Sequence, residues 1–245
     1  MTIQWQVWPE KIQLRKQHVY LIRCLIPIVA THYNQYWQSL NREEQARAKR
    51  FYFAKDRIQS VCARGILRQI LARCLAASPV DICLQTTTYG KIFLPEKDNS
   101  ISLEFNLSHT HDCIVYALTL THPIGIDVEY PKDNIDYTGI AERFFSPLEQ
   151  HQLAQLSSEQ KYKGFYNAWT RKEAYIKAIG EGLSHPLTAF DVSLMPGEEA
   201  RLLRLEKEPN ELAQWTLQDF SPFPDYFAAF ATKQWVDEIC YWEVR

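Results

Sequence analysis

The hydrophobic and polar positions change their period several times along the chain, and each change predicts a new element. Residues 3–8 and 19–25 are rich in β-branched and aromatic side chains, which predicts two strands separated by a polar connection. The pattern then becomes helical. Asn41 with Glu44 three residues later predicts an N-terminal cap, and a charged helical segment follows as far as Phe53.

A long helix and a hairpin are predicted next. Asp56 is placed to cap a helix with an apolar face, and this helix should end before Pro79 because proline cannot continue it. Residues 101–120 alternate apolar and polar positions and then become apolar, which predicts a hairpin connected through residues 109–112. Residues 124–130 predict a third strand, where the chain passes from a first half into a second.

Helical signals return in the second half. Ser146-Pro147-Leu148-Glu149 combines a capping serine, a proline at the first helical position and a glutamate at the third. Ser157 with Gln160 repeats the signal, and the helix that they open should pass through Trp169 and stop at Gly180. The remaining chain predicts short strands at residues 190–194, 215–220, 226–231 and 239–244.

These elements predict an α+β protein. A weak internal repeat links Arg50-Phe51-Tyr52-Phe53 to Arg143-Phe144-Phe145-Ser146, since helices follow both segments. The repeat is compatible with two related α+β halves, residues 1–121 and 122–245. The cleft between such halves is a natural ligand site.

Composition narrows the class of protein. With 245 residues, 46% hydrophobic and 23% charged, the chain fits a globular protein of one large domain or two halves. A net charge of -2 gives no chain-wide reason to expect nucleic acid or an anionic membrane as a partner. Six scattered cysteines without C-x-x-C spacing predict reduced thiols. The first residues show no basic stretch leading into an apolar segment, so we expect a cytoplasmic protein.

Two acids share one face of the predicted third strand. In Ile124-Gly125-Ile126-Asp127-Val128-Glu129, alternation places Asp127 and Glu129 together, opposite the apolar side chains. Two neighbouring carboxylates repel each other unless they are solvated or bridged by a cation, and hard oxygen ligands suit magnesium. The alternative is a strand with one solvated face.

A third acid follows on the second long helix. The helical repeat aligns Trp169, Glu173 and Lys177 on one side. With the tryptophan as an anchor, Glu173 could complete a carboxylate site and Lys177 could offer a positive charge to phosphate oxygens. The alternative is an ordinary salt bridge between Glu173 and Lys177, which is worth about 0.3–0.5 kcal/mol.

Histidine and basic residues supply further candidates. His109, at the end of a predicted strand, could donate to a phosphate, or could bind zinc with His111 if a third soft ligand were near. Arginine and lysine dominate residues 42–73, which could form a solvated helix face, a nucleic-acid patch or a phosphate anchor. Lys91 adds to this set of cations.

Taken in order along the chain, these features resemble the Sfp-type 4'-phosphopantetheinyl transferases. The resemblance includes the basic segment from Arg47 to Arg68 and spans residues 42–182. It rests on five short segments in register: Tyr89-Gly90-Lys91, Phe105-Asn106-Leu107-Ser108-His109, Ile124-Gly125-Ile126-Asp127-Val128-Glu129, Arg143-Phe144-Phe145-Ser146 and Trp169 to Lys177.

The resemblance implies two pseudo-symmetric α+β halves with the active site in the cleft between them. Coenzyme A would bind there as co-substrate, with Mg²⁺ on its diphosphate. Asp127, Glu129 and Glu173 match the metal-binding acids of the family. Glu173 is also the candidate base, either directly or through a metal-bound water.

The resemblance also assigns contacts to the cofactor. His109 and Lys177 match residues at its phosphates and, with Glu173, make up the expected catalytic set. Lys91 and Ser108 match positions near the adenosine end, and Arg47 falls where the family places a cation for the 3'-phosphate. The chain departs from the family in two places, which are Gln59 instead of a frequent arginine and Ile92 instead of proline.

The implied reaction transfers 4'-phosphopantetheine from coenzyme A to a serine of an acyl, polyketide or peptidyl carrier protein and releases adenosine 3',5'-bisphosphate. We expect a monomer without nucleic-acid or membrane partners. Two alternatives stay open: a coenzyme-binding or nucleotide-binding module without turnover, and a nucleic-acid-binding protein that uses the basic helices. The sequence does not choose among the three classes of carrier.

Overall fold

Two helices of 22 residues each organise the fold, and each packs against its own sheet. The computed structural model describes residues 3–10, 12–133 and 135–245. Within them the α-helices are α1 (Ile26–Val29), α2 (Tyr33–Ser39), α3 (Arg42–Lys49), α4 (Ala54–Leu75), α5 (Tyr137–Phe144), α6 (Pro147–Gln155) and α7 (Ser158–Ile179). The strands are β1 (Gln6–Val7), β2 (His18–Leu25), β3 (Gln85–Thr86), β4 (Ile92–Phe93), β5 (Leu103–Thr110), β6 (Cys113–Leu120), β7 (Ile124–Glu129), β8 (Phe190–Val192), β9 (Leu202–Leu205), β10 (Thr216–Phe220), β11 (Phe227–Thr232) and β12 (Glu238–Glu243).

The two main sheets repeat one topology. The first has the order β1-β12-β2-β6-β5, and the second has the order β10-β11-β7. In each half, one strand is followed by the long helix and then by two antiparallel strands. In the sheet, the last of these three strands lies between the first and the second. The sets are β2, α4, β5, β6 and β7, α7, β10, β11. The predicted α+β fold with pseudo-symmetric halves is confirmed.

The layers follow from the alternation of side chains along the strands. Tyr20 and Ile22 of β2 pack towards α4, whereas Val19 and Leu21 face the second sheet and meet residues such as Phe230. On the other side of the second sheet, apolar residues of β11 pack against α7. The order of layers is therefore α4, the first sheet, the second sheet and α7. Strand β7 belongs to the second sheet and has one face towards α7.

The second half contributes one strand to the first sheet. The proposed boundary between residues 121 and 122 lies in the link from β6 to β7. Near the end of the chain, however, β12 enters the first sheet, where it runs parallel to both β1 and β2. The second half is thus tied to the first by main-chain hydrogen bonds.

Several local predictions are confirmed. Asn41 with Glu44, and Ser146 with Glu149, form capping boxes at the starts of α3 and α6. Gly180 ends α7 in the left-handed conformation, with φ of 77°. All six cysteines are free. Within the described residues, no helix has the length and apolar character needed to span a membrane.

Other local predictions were wrong. Phe53 occupies the N-cap of α4, and Asp56 lies in the first turn, where its charge favours the positive helix end instead of capping it. The first predicted strand shrinks to Gln6–Val7 because it pairs only at the sheet edge. Strand pairing continues to Thr110, so the hairpin turn is shorter than predicted. Helices α1 and α2 and strand β9 were not anticipated.

Candidate active site

Helix α7 lies very close to β7, and a glycine makes this approach possible. A β-carbon added at Gly125 would lie 2.1 Å from the carbonyl oxygen of Ala174 and 2.3 Å from the amide nitrogen of Ala178. Residues alternate along β7, so Asp127 points to the same side as Gly125. The acidic face is therefore covered by α7, and the alternative of a solvated face is wrong for Asp127, which is 3% exposed.

Asp127 lies at the centre of a small polar cluster. Its Oδ1 atom accepts hydrogen bonds from Ser108 Oγ at 2.9 Å and from Lys177 Nζ at 2.6 Å, and Lys177 also donates to Ser108 at 3.1 Å. Its Oδ2 atom is buried and has no hydrogen-bond partner among the described residues. An unpartnered carboxylate oxygen is costly to bury, so this atom fits a ligand position for a cation.

Two further carboxylates stand near Asp127. Burial and the charge of Asp127 raise the pKa of Glu129, which accepts a hydrogen bond from Thr110 at 3.4 Å. Burial and Asp127 also raise the pKa of Glu173, to about 7. Both shifts show that the ionised forms are unfavourable without a cation, although Lys177 offsets part of the repulsion.

Asp127, Glu129 and Glu173 lie near each other, but their carboxylate oxygens are not all within 4.8 Å of one another. Among the described residues, one group of three has all its ligand atoms within 4.8 Å of each other, and that group is His18, Glu238 and Cys240 at the β2–β12 pair. The carboxylates of Asp127, Glu129 and Glu173 are more widely spaced. Lys177 occupies one oxygen of Asp127 in this arrangement.

A cavity of about 710 Å³ opens beside the cluster. Arg47 and Arg64 line its side towards the basic helices, and His109 and Lys177 line its side towards α7. Partial burial and the nearby Lys177 lower the pKa of His109, so its imidazole is predominantly neutral at neutral pH. The lining also contains Glu44 and Asp56, but its arginines, lysine and histidine offer N–H donors to the oxygens of a phosphate-bearing ligand.

Lys91 lies in a neighbouring cavity of about 400 Å³, which Glu173 and Lys177 also line. Its ammonium nitrogen donates to the carbonyl oxygens of Ile124 at 3.2 Å and Ala178 at 2.9 Å. Burial lowers the pKa of Lys91 to about 8. The structure thus brings all eight predicted site residues to one region, with Lys91 directed at the main chain of the second half.

The basic segment divides into different roles. Arg68 is fully buried, donates to Glu44 at 2.6 Å and to the carbonyl oxygen of Ile82 at 3.0 Å, and so stabilises the fold. Arg64 pairs with Glu44 at 3.4 Å on the cavity wall. The sequence did not separate these arginines because burial depends on how α3 packs against α4.

Comparison with known proteins gives the family. A family model described as the 4'-phosphopantetheinyl transferase superfamily matches residues 123–231, and one described as the N-terminal region of 4'-phosphopantetheinyl transferase matches residues 28–121. The 4'-phosphopantetheinyl transferase HetI of Nostoc sp. is 34% identical over 227 residues, which cover 93% of this chain and 92% of HetI. The chain belongs to the 4'-phosphopantetheinyl transferase superfamily.

Other relatives agree with this assignment. The transferase Sfp of Bacillus subtilis is 30% identical over 169 residues, covering 69% of this chain and 72% of Sfp. Another 4'-phosphopantetheinyl transferase of Bacillus subtilis is 34% identical over 169 residues, with the same coverage of 69% and 72%. The resemblance drawn from five short segments is confirmed, and with it the class of enzyme.

Two supporting residues of this transferase were missed from the sequence. Asn106 Oδ1 accepts from the amide of Ile126 at 3.0 Å and joins the first sheet to β7. Lys172 of α7 forms a fully buried ion pair with Glu149 of α6 at 2.9 Å. Both residues lie inside the recognised segments, but only packing reveals what they contact.

Proposed function

We propose that this transferase moves the 4'-phosphopantetheinyl group of coenzyme A to a serine of a carrier protein, with Mg²⁺, and releases adenosine 3',5'-bisphosphate. The main support is the buried, unpartnered Oδ2 of Asp127 beside a cavity lined with cations. The first observation fits a metal ligand, and the second fits the phosphates of the donor. The names of the relatives supply the group that is transferred.

The basic side chains of the cavity, together with the neutral His109 and with Ser108, are proposed to hold the coenzyme. Lys177 and His109 would contact its diphosphate, with Ser108 beside them, and Arg47 would contact the 3'-phosphate. Arginine and lysine bind phosphate oxygens through charge-assisted hydrogen bonds. Such contacts place the phosphorus atom beside the acids of β7 and α7 before the acceptor arrives.

Asp127, Glu129 and Glu173 are proposed to hold Mg²⁺. The bound ion would neutralise charge on the diphosphate oxygens as the transfer proceeds. Lys177 would stay close enough to share in this neutralisation, because it already lies at Asp127. Burial and mutual repulsion raise the pKa values of Glu129 and Glu173, as expected of carboxylates that a bound cation would stabilise in their ionised forms.

Glu173 is proposed as the general base. The serine hydroxyl of the carrier forms a new oxygen–phosphorus bond at the β-phosphorus, and its proton passes to the Glu173 carboxylate. The bond from the β-phosphorus to the bridging oxygen breaks, and adenosine 3',5'-bisphosphate leaves with that oxygen. A half-buried carboxylate on a rigid helix can accept this proton without a large rearrangement.

The acceptor is proposed to be an acyl, polyketide or peptidyl carrier protein. One chain supplies every residue of the proposed site from its two halves, which supports a monomeric enzyme. The net charge of -2 supports neither nucleic acid nor an anionic membrane as a partner. Cytoplasmic location is proposed because such carriers and coenzyme A occur there.

Intact-mass spectrometry tests the reaction. Apo carriers of the three classes are incubated with the enzyme, coenzyme A and Mg²⁺, and we expect a phosphopantetheine adduct on at least one carrier and adenosine 3',5'-bisphosphate in the supernatant. Chelation of the metal should abolish the adduct, and added Mg²⁺ should restore it. No adduct on any of the three carriers would refute the proposal.

Matched variants test the assigned roles. Glu173→Gln and Asp127→Asn should reduce turnover by at least roughly 10²-fold, because each removes charge from the proposed metal and base positions. Glu159→Gln, an exposed acid in the first turn of the same helix, should leave turnover unchanged. Turnover of Glu173→Gln within a few-fold of the wild type would exclude Glu173 as the base.

A further inference from the structure

The turn that carries Lys91 is built to aim its side chain. Lys91 follows Gly90 in the connection between β3 and β4, where its amide donates to Thr87 Oγ1 at 3.1 Å and its carbonyl accepts from the Thr87 amide at 2.8 Å. Gly90 has φ of 90°, and no atom of the described residues beyond its chain neighbours lies within 4 Å of an added β-carbon, so the backbone conformation is what requires glycine. Local hydrogen bonds with Thr87 therefore hold the turn, independently of the contacts that the Lys91 side chain makes with the second half.

The Lys91 ammonium then reaches into the second half. Ala178, which accepts its shorter hydrogen bond of 2.9 Å, belongs to the last turn of α7, and Ile124 begins β7. The final carbonyl oxygens of a helix lack partners within the helix and attract cations. Lys91 thus caps α7 from the opposite half of the molecule.

The stem of Lys91 packs against the same helix end. An added β-carbon at Gly180 would lie 3.3 Å from Lys91 Cδ, and one at Gly182 would lie 3.6 Å from the carbonyl oxygen of Tyr89. The β3–β4 hairpin therefore rests on the two glycines that follow α7. Lys91 therefore holds the end of α7 through apolar contact of its stem and through the hydrogen bond of its ammonium.

The consequence concerns the residues that α7 presents. Lys177 immediately precedes Ala178, and Glu173 lies about one turn before that. We propose that Lys91 is a positioning residue, whose ammonium joins the first half to the end of α7 and so places Glu173 and Lys177 in the site, and that this ammonium does not bind the phosphates of the coenzyme. This inference rests on the proposed function for its effect on turnover, but not for its structural content.

Burial supports a structural role. The pKa of Lys91 falls to about 8 because its ammonium is desolvated, and Glu104 opposes the fall only in part. Both of its acceptors are neutral main-chain carbonyls. The ammonium of Lys91 is thus engaged by the protein, whereas Arg47 is an exposed cation on the wall of the larger cavity, where an anion can reach it.

Chemical labelling of the wild-type enzyme tests the contact directly. Reductive methylation, read by peptide mass spectrometry with and without coenzyme A, measures the access of reagent to each lysine. Lys91 should react slowly in both states, and the exposed Lys97 of the same segment should react fast in both. Any other pattern for Lys91 overturns the inference, above all fast labelling that coenzyme A suppresses.

Kinetics separates positioning from binding. Lys91→Met should lower kcat by at least roughly tenfold and change the Kd for coenzyme A by less than roughly threefold, because the defect lies in how α7 is placed. Lys91→Arg should recover most of kcat, since a guanidinium can donate to two carbonyls. A Kd raised tenfold with kcat retained at saturating coenzyme A overturns the inference.

The two proposals fail separately. If the wild-type enzyme modifies no carrier, the proposed function fails, but the labelling of Lys91 still decides whether the contact exists. If Lys91→Met does not fold, labelling of the wild type gives the decision by itself. Lys97→Met is the matched control and should keep the kcat and Kd of the wild type.

Discussion

Gly125 and Ala174 are so close that a β-carbon on the first would lie 2.1 Å from the carbonyl oxygen of the second. No side chain separates β7 from α7 at this point. Asp127 and Glu129 of the strand can therefore share one site with Glu173 of the helix, and Lys177 lies only 2.6 Å from Asp127. The absence of a side chain at Gly125 thus sets the distance between β7 and α7, and with it the distance between the acids of the site.

Gly125→Ala should damage both stability and turnover. The clashing atoms are main chain, so α7 must move, and overpacking of this kind costs about 1–3 kcal/mol or more. A displacement of about 1 Å can lower kcat by on the order of 10²-fold. Urea unfolding and carrier assays measure the two effects. Ile126→Val, on the opposite face, should cost about 0.5–1.5 kcal/mol and keep turnover; equal behaviour of the two variants would contradict the prediction.

Glu173→Gln should stabilise the metal-free enzyme while it abolishes turnover. Burial and Asp127 raise the pKa of Glu173 from 4.5 to about 7. Between these values the unfolded chain loses the proton and the folded chain keeps it, so stability falls as pH rises through this range. Glutamine removes the penalty, so the gain in Tm should be largest above about pH 7 and should vanish towards about pH 4.5. Thermal melts in a chelator measure it, and a lower Tm than the wild type at about pH 8 would refute the reasoning.

Lys177→Met should bind Mg²⁺ more tightly and turn over more slowly. The ammonium competes with a metal ion for Asp127, and its loss removes a positive charge that acts on all three acids, so the Kd for Mg²⁺ should fall roughly threefold to tenfold. Turnover should fall because the diphosphate loses a contact. Titration calorimetry with Mg²⁺ checks the affinity, with the exposed Lys163→Met as the control. Weaker Mg²⁺ binding in Lys177→Met would show that Lys177 supports the metal site instead of competing with it.

Glu149→Leu should be strongly destabilising. Glu149 and Lys172 are both 0% exposed, and loss of one partner of a buried pair costs about 3–5 kcal/mol because an unpaired charge remains. The double variant with Lys172→Met should recover part of this loss. It should stay below the wild type, because Lys172 also donates to the carbonyl oxygens of Leu187 and Phe190. Urea unfolding of the single and double variants measures the coupling, and additive losses would contradict it.

The sequence by itself determined the two long helices, the β5–β6 hairpin and strand β7, and the chemistry within each segment. Capping signals at Asn41 and Ser146, the glycine stop at Gly180 and the alternation in β7 are local, because backbone hydrogen bonding and side-chain period act over a few residues. Five motifs in order were enough to predict the family. Asp127 and Glu129 could be placed on one face because a strand has a period of two.

Only the tertiary structure decided how those residues meet. Lys177 bonds Asp127 instead of forming the alternative salt bridge with Glu173, because Gly125 lets the helix approach the strand. Arg68 belongs to the core and Lys91 to the end of α7, although in the sequence both look like surface cations. Burial, partners and pKa shifts depend on contacts between residues far apart in the chain, and the return of β12 to the first sheet is one such contact that no local pattern reveals.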